Sequence, residues 1–183
     1  MTLAPRRWAA EILHVWFRTL GPADWFGGSS RIDALLGQRF AHDWQALHNR
    51  PAQEFLATAD LAQAAILLFD QIPRNVFRDD PRAFASDDLA RTLSQEAMAR
   101  SWHIGRSSHE VQFLAMPLMH SEDLADQDLC TAIFARHVPS ALSFARNHRR
   151  MIARFGRFPH RNAVLGRRTT EAEQRAIEAG FSW

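Results

Sequence analysis

The chain predicts an all-α fold of stacked antiparallel helix pairs, arranged as a bundle or a short α-solenoid. Three observations predict it. Apolar residues recur at helical spacing almost throughout the 183 residues. Caps, glycines and prolines cut that periodicity into seven or eight segments joined by short links. The alternating apolar–polar pattern of strands does not occur in the sequence.

A first helix is expected from about Pro5 to Leu20, with Trp8, Ile12, Val15 and Trp16 inward, stopped by Gly21-Pro22. A loop, 23–28, carries Trp25-Phe26-Gly27-Gly28. Ser29 or Ser30 can cap a second helix with Ile32, Leu35, Leu36, Phe40, Trp44 and Leu47 on its apolar face. The chain is irregular after Pro51. A third helix runs from about Asp60 to Ile72; its centre, Ala64 to Phe69, is apolar all round and belongs in the middle of the fold. Ser86 or Asp87 caps a fourth, which reaches about Trp102, and Gly105 turns the chain. Ser107 with Glu110 forms a capping box for a fifth, which Pro117 ends or kinks. A sixth starts near Ser121 and runs to about Arg136. Pro139 suits the first turn of a seventh, with an inward stripe of Leu142, Ala145, His148, Ile152 and Phe155 and a stop at Gly156. Thr170 with Glu173 caps a short last helix closed by Gly180. The length and the absence of a linker predict one domain, 1–183.

Charge is informative in its distribution. The isoelectric point of about 9.8 overstates basicity. Every one of the 22 basic residues is arginine and tyrosine is absent, so a net charge of +2 suffices to push the value up. Residues 60–128 hold twelve acids and six arginines, while 129–170 hold nine arginines and no acid. The two stretches either neutralise each other or leave a basic surface for an anionic partner. The single cysteine, Cys130, excludes an internal disulfide and reads as a buried small residue. Glu11 and His14 interrupt the apolar run after Arg6-Arg7, and no stretch approaches a membrane span, so a cytoplasmic protein without membrane contact is expected.

Four stretches carry candidate chemistry. Asp70, at the end of the third helix, sits where the helix dipole disfavours an acid and needs a cation such as Arg74. It either forms an internal ion pair or orients an arginine at a pocket wall; Asn75 follows in the same proline-punctuated turn. His120-Ser121-Glu122-Asp123 opens the sixth helix. There Ser121 is the expected cap, and His120 with Glu122 offers an acid/base pair. No second histidine stands at ligand spacing, so neither a metal nor a cofactor is expected. The third stretch, Arg154-Phe155-Gly156-Arg157-Phe158-Pro159-His160-Arg161-Asn162, is a short turn anchored by phenylalanines and loaded with forked donors for a carboxylate or anion. The fourth, the loop at Trp25, either lids the core or stacks on a ligand. A phosphate loop is excluded because the chain has no lysine.

These stretches, with Ile72-Pro73-Arg74-Asn75-Val76-Phe77-Arg78, Ala83-Phe84-Ala85 and Pro117-Leu118-Met119-His120, occur in an order that resembles the bacterial domain-of-unknown-function 924 family over about Trp8 to Thr170. The resemblance implies an all-α fold similar to tetratricopeptide repeats and carries no established activity. Met119 departs mildly from the family pattern and touches no candidate site residue.

The leading expectation is a pocket that binds a small anion or a peptide carboxylate, lined by Trp25, Arg74, Asn75, Arg157, His160, Arg161 and Asn162. The rival is a hydrolase or lyase with His120 as acid/base and Glu122 or Asp70 orienting it. A protein-interaction module follows from fold analogy alone. Bulk charge and the absence of a known motif argue against nucleic acid as a partner. The Arg74-Asn75 and Arg161-Asn162 pairs are expected near each other, with the His120 segment beside them.

Overall fold

The computed structural model describes residues 6–180, so the expected helix start at Pro5 lies outside the described residues. These residues form helices and turns, with no strand among them. They divide into two compact units, residues 1–117 and 118–183. No described helix is long and apolar enough to cross a membrane.

In the 1–117 unit, α1 (Arg7–His14) runs into a π-helical turn, Val15–Thr19, where Leu20 N–H reaches Val15 O at 2.9 Å. Ile12, Val15 and Trp16 are buried as the periodicity demands. The stretch read as a loop contains a short helix, α2 (Pro22–Phe26). Pro22 starts it because a first-turn residue needs no N–H partner, and the Asp24 carboxylate accepts from Gly21 N–H at 3.1 Å. The long α3 (Ser30–Leu47) buries Ile32, Leu36, Phe40 and Trp44.

The central helix α4 (Ala59–Ile66) is capped by Thr58, whose hydroxyl accepts from Leu61 N–H. It does not stop at Pro73. Over Leu67–Gln71 the backbone widens into a second π turn, Ile72 N–H bonds Leu67 O, and α5 (Ile72–Val76) follows. Pro73 has no N–H to offer, and the early turn of α5 requires none. Arg74 and Asn75 therefore sit on a helix, where a proline-punctuated turn was expected. Ala64 to Phe69 are fully buried, and α1 and α6 (Asp87–Ala99) pack against α4. Ser86 ties the layers: its hydroxyl donates to Phe69 O at 2.6 Å and accepts from the Trp44 indole at 2.9 Å. The next helix, α7 (Ser108–His120), begins at the expected capping box and contains Pro117.

In the 118–183 unit, α8 (Leu124–His137) lies antiparallel to α9 (Leu142–Phe155) across the tight turn Pro139–Ala141. An Asp128–Arg149 pair links the two helices. The α8 cap is Asp123, accepting from Ala125 N–H at 2.8 Å. Ser121, the expected cap, instead donates to Asp126 and accepts from Asp123 N–H. Met151, Ile152, Phe158 and Ala176 form a core that holds α10 (Glu171–Glu178). Cys130 is buried, and desolvation pushes its thiol up to about 12, which removes it from chemistry near neutrality.

Candidate functional site

The candidate residues of the 1–117 unit are tied into its framework. Asp70 is 1% exposed. Arg74, one turn on, donates to Asp70 backbone O at 2.6 Å and lies 3.2 Å from its Oδ1. The same guanidinium forks onto Asp87 at 2.9 and 2.8 Å. Burial opposes the Arg74 charge, but Asp87 and Asp70 outweigh it and hold the guanidinium above its ordinary range. Asn75 Nδ2 donates to Gln71 O at 2.9 Å. The internal ion pair, one of the two readings open at Asp70, is thus present.

Trp25 is half-buried. Its indole N–H donates to Trp16 O in the first π turn at 3.0 Å. Its ring meets Phe113 and His109 edge-on, both at 5.0 Å between centroids. Phe26 beside it is 60% exposed.

In the 118–183 unit, Gly156 ends α9 with φ +68°, the left-handed conformation a glycine adopts without strain. That turn drives Phe158 into the core, and polar groups surround its ring. His148 lies 5.5 Å away and His160 5.7 Å, and the Arg161 guanidinium stands 4.6 Å over the ring. His120 is 6.4 Å from His148. His148 Nδ1 is 2.9 Å from Phe144 O. A carbonyl only accepts, so Nδ1 carries the proton in the neutral ring. Burial, helped by His120, Arg161 and His160, presses His148 down to about 3. Burial and Arg161 bring His160 to about 4.

Glu122 clamps the Phe158 turn. It accepts from Phe158 N–H at 2.8 Å and from both terminal nitrogens of Arg167 at 2.7 and 3.0 Å. Burial pushes Glu122 up, but these donors and the Arg161 charge win and leave it below its ordinary range. Arg157 makes a similar fork on Glu173, 2.6 and 3.0 Å, and also donates to Arg168 O. Arg157, with the Thr170 donors, holds Glu173 down at about 2. Asn162 is 0% exposed; its Nδ2 donates to Thr169 Oγ1 at 3.3 Å, and its backbone O accepts from Arg167 N–H. Its Oδ1 and Arg167 Nε have no hydrogen-bond partner among the described residues.

Beside these clamps lies an open hollow of about 600 Å³ lined by Arg157, Arg167, Arg168, Thr169, Thr170 and Glu171. Arg168 is exposed and has no carboxylate partner among the described residues. Of the residues singled out from the sequence, Arg157 lines this hollow. His120, Glu122, His160, Arg161 and Asn162 belong to the same unit, and Trp25, Asp70, Arg74 and Asn75 to the other. Arg167, Arg168 and Thr169 were missed. Their signal was a second arginine pair just before the Thr170 capping box, inside the acid-free stretch. Among the described residues no group of three or more His, Cys, Asp or Glu is placed to hold a metal ion.

An all-α protein with an arginine-lined hollow is the class that fold and site define. The chain belongs to the family described as bacterial protein of unknown function (DUF924), which it matches over residues 12–180. A solved structure, that of the protein of unknown function ATU0120 from Agrobacterium tumefaciens, is similar at 35% identity and a TM-score of 0.87. The likeness covers 94% of this chain and 97% of that one. Among curated proteins, none matches.

Proposed function

We propose that the 118–183 unit binds a small anion or a peptide carboxylate in this hollow. One observation carries the reading: Arg157, Arg167 and Arg168 line a single hollow together with Thr169, Thr170 and Glu171, whose carboxylate lies 3.8 Å from Arg175. Glu173 and Glu122 hold Arg157 and Arg167 in fixed orientations and offset their charge. Arg168 supplies uncompensated charge, and the threonine hydroxyls supply neutral donors for the remaining oxygens of an anion. His160, Arg161 and Asn162 act as the scaffold of the turn. A cytoplasmic setting, rich in small carboxylates and phosphates, is part of this reading.

The test is thermal shift with inorganic phosphate, citrate and a short peptide bearing a free C-terminal carboxylate. A ligand at about 100 times its Kd stabilises the folded state by about 2.7 kcal/mol. Arg168→Ala should melt like wild type without anion and lose the anion-dependent shift. If no anion raises the wild-type midpoint, or Arg168→Ala keeps the full shift, the reading fails.

A second reading, an enzyme with His120 as acid/base, draws support from the cluster of His120, His148, His160 and Arg161 around Phe158. Burial keeps His148 and His160 neutral there near pH 7, the form that accepts protons. Hydrolase and lyase screens of wild type against His120→Ala decide it; equal turnover in both removes this reading.

A further inference from the structure

The acids of the 118–183 unit are already engaged. The unit holds seven acids and ten arginines. Glu122, Asp128, Glu171 and Glu173 pair with Arg167, Arg149, Arg175 and Arg157. Asp123 caps α8, Asp126 accepts from Ser121, and Glu178 accepts from Gln174. On α9 this leaves Arg146, Arg150 and Arg154 exposed, with no carboxylate partner among the described residues. Arg154 rests over the Phe155 ring at 4.8 Å and keeps its charge.

These three arginines are spaced i, i+4, i+8. At 1.5 Å rise and about 100° per residue they form a row about 12 Å long within an arc of about 80°. The buried residues of α9, Ala145, His148, Met151 and Ile152, fall on the opposite side. The other exposed positions within that arc's reach, Ser143 and Ala153, are small. Like charges at i, i+4 weaken a helix. A helix that keeps two such pairs and no offsetting acid carries a cost to its own stability that an external anion removes.

We propose that this face of α9 docks the phosphodiester backbone of a nucleic acid. The row rises about 6 Å per arginine; a duplex strand rises about 3.4 Å per phosphate and also winds about its axis, so the through-space step between successive phosphates is comparable to that of the row. A backbone supplies this regular line of anions whatever its sequence, whereas an acidic peptide would need carboxylates at matching steps. A lipid surface would require large apolar side chains within the arginine arc; Phe144, which is exposed, and Phe155, under Arg154, both lie outside it. Bulk charge pointed away from nucleic acid. But the net +2 sums the whole chain, and a bound strand feels charges within a Debye length of about 10 Å.

The test is fluorescence anisotropy of the full chain with a fluorescein-labelled 24-base-pair DNA duplex, titrated between about 50 and 200 mM salt. Three phosphate contacts give a log–log salt slope of about −2.7, and Arg150→Gln should bring it to about −1.8. Arg150→Glu turns two repulsive pairs into attractive ones, so its melting temperature should hold while duplex binding falls further. Binding weaker than about 10⁻⁴ M at 50 mM salt overturns the proposal, as does a slope unchanged in Arg150→Gln. Tighter binding to phosphatidylserine vesicles or to polyglutamate than to the duplex would reassign the surface and overturn it too.

Discussion

Replacing Arg74 by methionine tests how the buried end of the central helix is held. Methionine keeps most of the length and apolar contact of the stem while removing the charge. Asp70, 1% exposed, loses the guanidinium 3.2 Å from its Oδ1 and keeps the Gln71 amide. Its cheapest escape is to take up a proton. From an ordinary aspartate pKa of about 3.9 this costs about 4 kcal/mol at pH 7, at about 1.36 kcal/mol per unit. That value caps the Asp70 contribution. Asp87 also loses its fork, but it is partly exposed and water replaces most of that, so about 1 kcal/mol is assigned to it. The sum agrees with the roughly 3–5 kcal/mol typical of breaking a buried pair from one side. The pH sign follows. In the variant the folded-state carboxyl titrates above its unfolded value, so the penalty vanishes below about pH 4 and grows as pH rises. At pH 5 the Asp70 part falls to about 1.5 kcal/mol. Urea unfolding followed by tryptophan fluorescence suits the question, because Trp8, Trp16, Trp25, Trp44 and Trp102 all lie in residues 1–117. Asp70→Asn with Arg74→Met should recover stability and lose the pH dependence. A loss under about 1 kcal/mol at pH 7, or the same loss at pH 5 and 7, refutes the reasoning.

Three further outcomes are expected. His148 titrates near 6.5 when unfolded and at about 3 when folded, so its stability contribution is complete above pH 6.5 and falls with acid; by pH 5 about 2 kcal/mol is gone, and amide exchange in α9 should quicken accordingly. A flat exchange profile between pH 7 and 5 would contradict this. Gly156→Ala meets no atom within 4 Å, so its cost is the left-handed backbone alone, about 1–2 kcal/mol in denaturant midpoint. Thr170→Ala removes the hydroxyl that accepts from Glu173 N–H and should cost about 1 kcal/mol of helix stability, visible as faster exchange in α10 and not in α3.

What the sequence revealed tracks the range of the interaction responsible. Ser107 with Glu110, Thr170 with Glu173 and the glycine at 156 act within one turn, and each was legible. The π turns at Val15–Thr19 and Leu67–Gln71 were not. A π turn shifts the helical register by one residue; in Ala64 to Phe69, apolar all round, such a shift leaves no mark on the pattern, and at Val15–Thr19 the helix ends before the shifted register can repeat. The expected α8 cap, Ser121, gave way to Asp123, because serine and aspartate suit that position equally. Asp126 claims Ser121, and Arg167, 45 positions on, claims Glu122. At the site, Glu173 already had a complete local explanation as a capping residue, so its fork with Arg157 could not be inferred.

That last point bears on where function lies in a motif-rich stretch. The run from Arg154 to Asn162 is the most distinctive in the chain, yet its side chains are largely absorbed by structure. Gly156 sets the turn, Phe158 fills the core, Arg161 stacks on Phe158, Arg157 is held by Glu173, and Asn162 braces the turn through Thr169. A group whose donors and charge are satisfied within the fold contributes little further attraction to a ligand, because binding would exchange one good partner for another. Unspent charge lies at its edges instead, at Arg168 after the motif and at Arg146, Arg150 and the motif's first residue, Arg154, along α9. The motif is therefore best understood as the scaffold that presents two separate cationic surfaces. Because these surfaces share no residue, Arg168→Ala and Arg150→Gln address them one at a time.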